Sequence, residues 1–232
     1  MSSSESPEAQ SGNAAGAGRE PLWWYGKVLR RMRPRGARLL HVECGAGGLL
    51  GHLAEHFDAF GFDARPRARN QCRMNVPGAV VLEDWDSLPE GGFDVVVSIG
   101  AFGRRGARAQ VRGLLPSLAP RGVLVMIVPN PAGWGHRLKG RDWSGERRGG
   151  GEGLLSEGEW KTLLRSFGLR LASAQGDGLW DAPYVPLIPA ALQQAVCDAA
   201  LSARSVLPVP AAWSSTGSGE RMILAAERAE PV

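Results

Sequence analysis

The segment from Leu39 to Leu50, which reads LLHVECGAGGLL, is the part of the sequence whose residue types most directly suggest chemistry. Its apolar start predicts a buried strand, and the glycines that follow predict a tight turn into a helix. Gly45 and Gly47 let a ligand approach the backbone without meeting a Cβ atom, and the amides at the helix start face that ligand. Such a turn can also serve only the close packing of a strand against a helix, and the residues leave both alternatives open.

A carboxylate follows at a spacing that suits a nucleotide site. Asp63 lies sixteen residues after Gly47, directly after the run FGF at 60–62, which predicts a second strand. A carboxylate at the end of that strand can accept two hydrogen bonds from ribose hydroxyls. The alternative is a surface aspartate that caps the following helix.

Short apolar runs alternate with helical stretches in the rest of the chain, which predicts repeated strand-helix units. The expected fold is α/β, a Rossmann-like seven-stranded and mostly parallel sheet flanked by helices. Strands are expected at Arg38–Val42, Ala59–Phe62, Ala79–Leu82, Asp94–Ser98, Val123–Val128, Arg170–Ala174 and Arg221–Ala226. Helices are expected at Leu49–Phe57, Pro66–Met74, Ala107–Leu118, Glu157–Phe167 and Pro189–Ser205, after an amphipathic helix that starts near Leu22 and ends before Pro34.

Composition and charge narrow the class of protein. Residues 21–232 are predicted to form one domain, and residues 1–20, rich in Ser, Ala, Gly and Glu, a disordered tail. The net charge of +4 comes from dispersed arginines, so it indicates a solvated surface rather than a nucleic-acid partner. The three cysteines lack metal-ligand spacing and favour the cytoplasm, and no apolar run is long enough to span a membrane. His52 and His56 are four residues apart, but no third ligand is near, so surface histidines are expected.

The order and spacing of several segments resemble those of class I S-adenosyl-L-methionine (SAM)-dependent methyltransferases, specifically of their broad group of small bacterial enzymes. The shared segments are the glycine turn, Asp63, EDWDSLP at 83–89, FDVVVS at 93–98, LAPRGVLV at 118–125 and Pro-Asn-Pro at 129–131. The resemblance covers roughly residues 23–226. It implies SAM as the cofactor and a methyl transfer as the activity.

The resemblance also implies roles for individual positions, since the family places the methionine part, the ribose, the adenine and the methyl-transfer side at fixed points of the fold. In that order, the residues are Gly45 and Gly47, Asp63, Asp84 with Trp85, and Ser98 with Ile99. An acid can accept from the adenine amino group, and an aromatic neighbour can pack on the ring. The resemblance assigns no catalytic residue and no metal ligand.

The turn departs from the family pattern at two positions. His41 stands where the family usually has an acid, and Glu43 stands where it has the first glycine. Near the methionine carboxylate, Glu43 adds bulk and like-charge repulsion unless it turns away or pairs with an arginine. The stretch Phe102–Arg105 also lacks the Glu-His pair of many relatives, and residues 146–151 lack an Asp-Pro-Thr-His sequence that some of them carry.

Two long segments are expected to form the substrate side, because ligands of open α/β sheets bind beyond the carboxyl ends of the strands. These segments are residues 131–154 and 177–219. Their aromatic and charged side chains can shape an acceptor pocket or plug the core beneath a long loop. The residues in question are Trp134, Arg141, Trp143, Trp180 and Tyr184.

Three functions therefore remain open at this point. The first is a SAM-dependent methyltransferase that acts on a small-molecule acceptor by in-line attack on the sulfonium. The second is a methyltransferase-like binding or regulatory protein without catalysis, which His41 and Glu43 motivate. The third is an NAD(P)-dependent oxidoreductase, which the spacing of Gly45, Gly47 and Gly51 permits, although the chain has no Tyr-x-x-x-Lys or similar hydride-transfer set.

Overall fold

Seven strands pair into one sheet in the computed structural model of the chain, which describes residues 20–84, 87, 92–100, 104–145, 153–206 and 216–228. The strands are β1 Arg38–Val42, β2 Asp58–Phe62, β3 Val80–Val81, β4 Phe93–Ile99, β5 Leu118–Pro129, β6 Leu169–Gly176 and β7 Arg221–Arg228. Their order in the sheet is β3-β2-β1-β4-β5-β7-β6. The predicted seven-stranded α/β fold is confirmed.

The first five strands are parallel, and β7 is antiparallel to both of its neighbours. In the central register, Val42 pairs with Phe62 on one side and with Ser98 on the other. The carboxyl ends of β1, β2, β4 and β5 therefore lie at one edge of the sheet. We call this the carboxyl edge, and both groups of candidate site residues described below lie along it.

Helices cover both faces of the sheet. They are α1 Leu22–Arg30, α2 Gly48–Gly51, α3 Pro66–Asn75, α4 Arg104–Leu114, α5 Trp134–Lys139, α6 Glu157–Arg165 and α7 Ala190–Val206. Alternate residues of a strand point to opposite faces, so Val95 and Val97 pack with α1, α2 and α7, whereas Val96 packs with α4 and α6. Both faces are buried, as expected for a mainly parallel sheet.

Several predicted boundaries were wrong. The helix expected at Leu49–Phe57 is regular only over Gly48–Gly51 and continues as turns, because glycine costs about 1 kcal/mol in a helix. The helix expected to reach Leu118 ends at Leu114 and is followed by a short 3-10 helix, since Pro116 disfavours helical backbone at the residue before it. Strand β5 then starts at Leu118 rather than Val123.

Smaller differences concern β3 and the segment after β5. Strand β3 pairs over only two residues, whereas four were expected. Helix α5 lies inside the segment that was expected to form a long loop. Residues 1–19 of the predicted tail lie outside the described residues, so that prediction stays untested, and no described helix is long and apolar enough to cross a membrane.

Candidate active site

The turn after β1 combines a tightly packed glycine with an open one. A Cβ atom at Gly47 would lie 2.8 Å from Cγ2 of Val76 and 2.9 Å from Sγ of Cys72, and its backbone is left-handed at φ +87°. A Cβ atom at Gly45 would meet no described atom within 4 Å. The two readings of this turn therefore apply to different residues, since Gly47 allows close packing against α3 and Gly45 borders open space.

Asp63 lies beside this turn, at the end of β2. Its Oδ2 accepts a hydrogen bond from the amide of Gly45 at 2.9 Å, and the amide of Cys44 donates to the carbonyl of Phe62 at 3.0 Å. These contacts join the turn to the end of the neighbouring strand. The structure thus brings together Gly45 and Asp63, two of the residues that the sequence predicted for one site.

The carboxylate of Asp63 is also held by Arg65. The Arg65 amide and Nε both donate to Oδ1 at 3.0 Å, and Nη2 donates to Oδ2 at 3.1 Å. Burial alone would raise the pKa of the Asp63 carboxyl, but the bonds from Arg65 and Gly45 outweigh it and lower the pKa. Asp63 is therefore ionised, and its charge is shared with a guanidinium.

Glu43 lies in the same turn with its side chain exposed to solvent. Its backbone is left-handed at φ +60°, a conformation that is uncommon for a residue with a Cβ atom. Desolvation by the surrounding protein and the charge of Asp63 raise the pKa of Glu43, whereas Arg65 lowers it. The side chain thus points outwards, within the electrostatic field of the Asp63–Arg65 pair.

His41 is buried at the end of β1, with 3% of its surface exposed. Neither ring nitrogen has a hydrogen-bond partner among the described residues. Burial lowers the pKa of the imidazole to about 4, although the charge of Asp63 acts in the opposite direction. At neutral pH this side chain is therefore neutral, with a donor and an acceptor that the described protein groups leave unused.

Ser98 and Ile99 end strand β4, next to β1 in the sheet. The Ser98 side chain is fully buried, and its hydroxyl accepts a hydrogen bond from Nε2 of Gln110, on α4, at 3.3 Å. Ile99 packs against the core on the opposite face, the face of α1 and α2. Of the two residues, Ile99 is thus on the face that carries the glycine turn.

The two positions expected to border the adenine follow β3. Asp84 is exposed, and its carbonyl accepts hydrogen bonds from the hydroxyl and the amide of Ser87 at 2.6 and 3.3 Å. Trp85 lies outside the described residues, so its predicted contact with the adenine stays a prediction. Beside Asp84, the exposed carboxylate of Glu83 pairs with Arg69 and Arg73 of α3.

A second group of polar residues lies at the carboxyl edge beside β5, around Glu220. This residue directly precedes β7 and is 1% exposed. Its carboxylate accepts hydrogen bonds from the indole nitrogen of Trp143 and from the hydroxyl of Tyr184. It also touches the place where a Cβ atom of Gly135 would stand, so only glycine fits there. Glu220 thus joins the two long segments that were expected to form the substrate side, through Trp143 of the first and Tyr184 of the second.

Glu220 lines a cavity of about 10 Å³ together with Trp143, Trp180 and Arg221. This volume is about the room that one water molecule needs. Arg221 is 5% exposed, and its Nη2 donates to Glu20 at 2.5 Å, whereas Nη1 has no hydrogen-bond partner among the described residues. Burial raises the pKa of the Glu220 carboxyl to about 7, so it exchanges a proton near neutral pH.

Asp177 is a further buried carboxyl next to this cavity. Its Oδ2 accepts from the hydroxyl of Tyr25 and from the indole nitrogen of Trp180, both at 2.6 Å, and its Oδ1 accepts from the amide of Arg221 at 2.8 Å. Burial raises its pKa to about 6 despite these bonds. Asp177 therefore fastens α1 and the segment after β6 to the start of β7.

The singled-out residues of the two long segments fall into a buried group and an exposed group. Trp143 and Trp180 are buried and donate hydrogen bonds to buried carboxyls, so they shape the cavity and also fill the core. Trp134 is 55% exposed, and Arg141 is exposed as well. In the part of the chain that the structure describes, no group of three or more His, Cys, Asp or Glu side chains could hold a metal ion.

Sequence reasoning missed Glu220 and the role of Arg65. Glu220 is an acid directly before a buried apolar strand, and a reversed strand beside β5 places such a residue at the carboxyl edge. Arg65 stands two residues after the predicted ribose acid, and this Asp-x-Arg spacing is the signal for a local ion pair. Asp177 belongs to a segment that the sequence did single out, but its buried contacts with Tyr25 come from a residue 152 positions away.

Comparisons with known proteins agree with this geometry. A sequence profile of a family described as a methyltransferase domain matches residues 24–174. A TehB-like SAM-dependent methyltransferase of Corynebacterium glutamicum has a similar structure, with a TM-score of 0.55, 19% identity, and coverage of 92% of this chain and 91% of that one. A SAM-dependent methyltransferase of Thermotoga maritima gives a TM-score of 0.60 and 15% identity over 88% of each chain.

The plantazolicin methyltransferase BpumL, solved in complex with S-adenosylhomocysteine (SAH), gives a TM-score of 0.56 and 13% identity over 90% of this chain and 82% of that one. At these identities the structures show the shared fold. No curated protein matches the chain significantly. The profile, however, covers well over half of the sequence, and the chain therefore belongs to the methyltransferase domain family and is a SAM-dependent methyltransferase.

Proposed function

We propose that this protein transfers the methyl group of SAM to a small-molecule acceptor at the carboxyl edge of the sheet. The observation that carries the proposal is the open space at Gly45 beside the ionised carboxylate of Asp63. An adenosyl ligand needs both features, because its ribose requires an acceptor and its methionine part requires access to the backbone.

The residues around the turn suit SAM. Gly45 leaves room for the methionine part, His41 offers two unpartnered nitrogens to its polar groups, and Asp63 accepts from the ribose hydroxyls. Asp84 and Trp85 then border the adenine, and Ile99 lines the methyl-transfer side. When bound, SAM supplies a methyl group on a positively charged sulfur, which a nucleophile attacks directly.

The acceptor is proposed to bind beside the Glu220 cavity, at the carboxyl edge, because the cavity itself has room for about one water molecule. Its indole walls at Trp143 and Trp180 leave room for little more than that water, and the unpartnered Nη1 of Arg221 can donate a hydrogen bond to it. The Glu220 carboxyl has a pKa near 7, which suits a group that takes a proton, through this water, from an acceptor hydroxyl or amine. Proximity and orientation supply the remaining acceleration.

The proposal is tested by measuring SAH release from SAM with the purified full-length chain. The acceptors in the panel are small amines, phenols, alcohols and carboxylic acids, and a protein acceptor serves as the contrast. We expect turnover with at least one small molecule and a decrease of about 10²-fold or more in kcat for Glu220→Gln. Turnover with the protein acceptor alone would show that the acceptor class is wrong.

The other two functions named in the sequence analysis are less well supported. The family match favours methyl transfer over the oxidoreductase. A protein without catalysis still contains the unusual residues His41 and Glu43, but no comparison supports a loss of activity. The single domain over residues 21–232 and the cytoplasmic location remain proposals, which rest on the strand-helix pattern and on the cysteine content.

A further inference from the structure

The ribose acceptor Asp63 has no free hydrogen-bonding position in this structure. An ionised carboxylate offers about four lone-pair positions. Oδ1 accepts from the amide and from Nε of Arg65, and Oδ2 accepts from the amide of Gly45 and from Nη2 of Arg65. Ribose hydroxyls can therefore reach Asp63 only if one of these donors leaves.

The Arg65 guanidinium is the donor group that can leave. The amides of Gly45 and Arg65 are fixed by the backbone, whereas the guanidinium is at the end of a long side chain. The side chain of Arg65 is 60% exposed, and that of Asp63 is 3% exposed. Moving the guanidinium into solvent frees two of the four acceptor positions and leaves the two amide bonds in place.

A second carboxylate, that of Glu43, can pair with the displaced guanidinium. Glu43 directly precedes Cys44, whose amide donates to the carbonyl of Phe62 at 3.0 Å, so Glu43 lies in the turn beside the Asp63–Arg65 pair. In agreement with this position, Arg65 lowers the pKa of Glu43, against the desolvation and the charge of Asp63, which raise it. Within the described residues, the exposed Glu43 carboxylate makes no hydrogen bond and no ion pair. It is thus near Arg65 and available to it.

We propose that Arg65 is a movable cation that pairs with Asp63 in the empty site and with Glu43 once a nucleoside is bound. The inference rests on the proposed function, because it concerns the same ribose position. The carboxylates of Asp63 and Glu43 share one guanidinium. When the ligand binds, its hydroxyls replace the guanidinium as hydrogen-bond donors to Asp63, and the guanidinium pairs with Glu43 instead. Neither the released guanidinium nor a buried carboxylate is then left without a partner.

This exchange explains why a glutamate, Glu43, occupies a position where the family usually has a glycine. A left-handed backbone is costly for a glutamate, and such a cost persists where a function requires it. It also makes Arg65 a specificity-determining residue, because only a ligand with donors for both freed positions repays the loss of the ion pair. A nucleoside with a free ribose diol meets that condition.

The test uses 5′-methylthioadenosine as the probe, since it has the ribose diol but no carboxylate for Glu43 to repel. Its dissociation constant is measured by titration calorimetry for the wild type, Arg65→Ala, Glu43→Gln and the double variant. Arg65→Ala is expected to bind about fivefold more tightly, because the competing ion pair is gone. Glu43→Gln is expected to bind about threefold more weakly, and to have no effect in the absence of Arg65.

Arg67→Ala is the matched control, because Arg67 is exposed on the first turn of α3, the helix that Arg65 directly precedes, and makes no hydrogen bond or ion pair with the described residues. It removes the same charge and should leave the affinity unchanged. Arg65→Lys is the second variant, since it keeps the cation but cannot form the two-point contact and should bind slightly more tightly than the wild type. Thermal unfolding of each variant checks that it is folded.

Two results would overturn the exchange. One is an affinity that Arg65→Ala leaves unchanged or weakens, and the other is a Glu43→Gln effect of equal size with and without Arg65. Binding of the probe and of SAH by every variant with equal affinity removes the exchange alone. Failure of the wild type and all variants to bind either ligand removes the proposed function together with the exchange.

Discussion

The amide nitrogen of Gly45 lies 2.9 Å from Oδ2 of Asp63, so the turn after β1 and the acid at the end of β2 are built as one unit. The amide can keep this bond whether Arg65 is present or displaced. A single contact therefore sets the position of the acid relative to the open side of the turn. Changes at either residue should affect binding of the nucleoside directly.

Asp63→Asn should weaken SAH binding by at least about tenfold. The amide side chain keeps the shape of the carboxylate but loses its charge and presents N–H donors where hydroxyls and Arg65 also donate. We expect the Tm to fall by about 3 to 8 °C, because charged hydrogen bonds at a buried group are lost. Calorimetry and thermal unfolding measure both effects, and an unchanged affinity would remove Asp63 from the ribose position.

Alanine at Gly47 should reduce mainly the stability of the fold, whereas alanine at Gly45 should reduce mainly the affinity for SAH. Gly47→Ala meets Val76 and Cys72 at less than 3 Å and should destabilise the fold by about 2 kcal/mol or more. Gly45→Ala has space for its methyl group, so only the left-handed backbone costs stability, about 1 kcal/mol. Its main effect should be on SAH affinity, because the methyl group occupies the open side of the turn.

Urea unfolding and SAH titration of both variants distinguish the two roles. If both variants lose the same stability and bind SAH as tightly as the wild type, both glycines serve packing alone. The glycine turn would then serve only the close packing of a strand against a helix.

The contrast between these glycines shows what the sequence could predict. The positions of the strands, the turn and the acid followed from local patterns, because apolar alternation and glycine spacing depend on neighbours in the chain. Which glycine packs and which faces open space depends on Val76 and Cys72, which only the folded chain brings to the turn. The filled acceptor positions of Asp63 likewise depend on the rotamer of Arg65, which a sequence does not specify.

The Glu220 carboxyl should make stability decrease as the pH rises. Its pKa is about 7 in the folded chain and has a usual value of 4.5, so the native state holds the proton more tightly. The contribution is complete below about pH 4.5 and is lost as the pH rises through 7, by up to about 3 kcal/mol. Urea unfolding at pH 5 and pH 8 should show this loss in the wild type but not in Glu220→Gln.

Comparing the two proteins at each pH cancels other titrating groups. His41 acts in the opposite sense, because its lowered pKa makes stability decrease as the pH falls from 6.5 towards 4. Asp177 acts in the same sense as Glu220, since its pKa is raised to about 6. A difference between wild type and Glu220→Gln that is the same at both pH values would contradict the raised pKa of Glu220.

Tyr25→Phe should destabilise the fold by about 1 to 3 kcal/mol, because it removes a hydrogen bond to the buried carboxyl of Asp177. It should also raise the pKa of Asp177 further, since the tyrosine hydroxyl stabilises its charged form. Trp23→Phe, at a more exposed position of the same helix, is the control and should change stability little. Equal unfolding free energies for wild type and Tyr25→Phe would show that this bond does not anchor α1.

Long-range polar contacts of this kind explain why the sequence did not indicate the buried cluster around Glu220. The sequence singled out residues 131–154 and 177–219, but Glu220 lies just after the second of them and was overlooked. Its burial comes from Trp143, Tyr184 and Gly135, which are separated from it by 36 or more positions. The spacing of residues along the chain does not indicate such long-range contacts.

Titration of the wild-type chain with SAH tests the central claim most directly, namely that the space between the glycine turn and Asp63 binds an adenosyl ligand. We predict saturable heat with about one site per chain, and a loss of at least about tenfold in affinity for Gly45→Ala at nearly wild-type stability. No saturable heat up to millimolar SAH, with the protein folded throughout, would contradict the account.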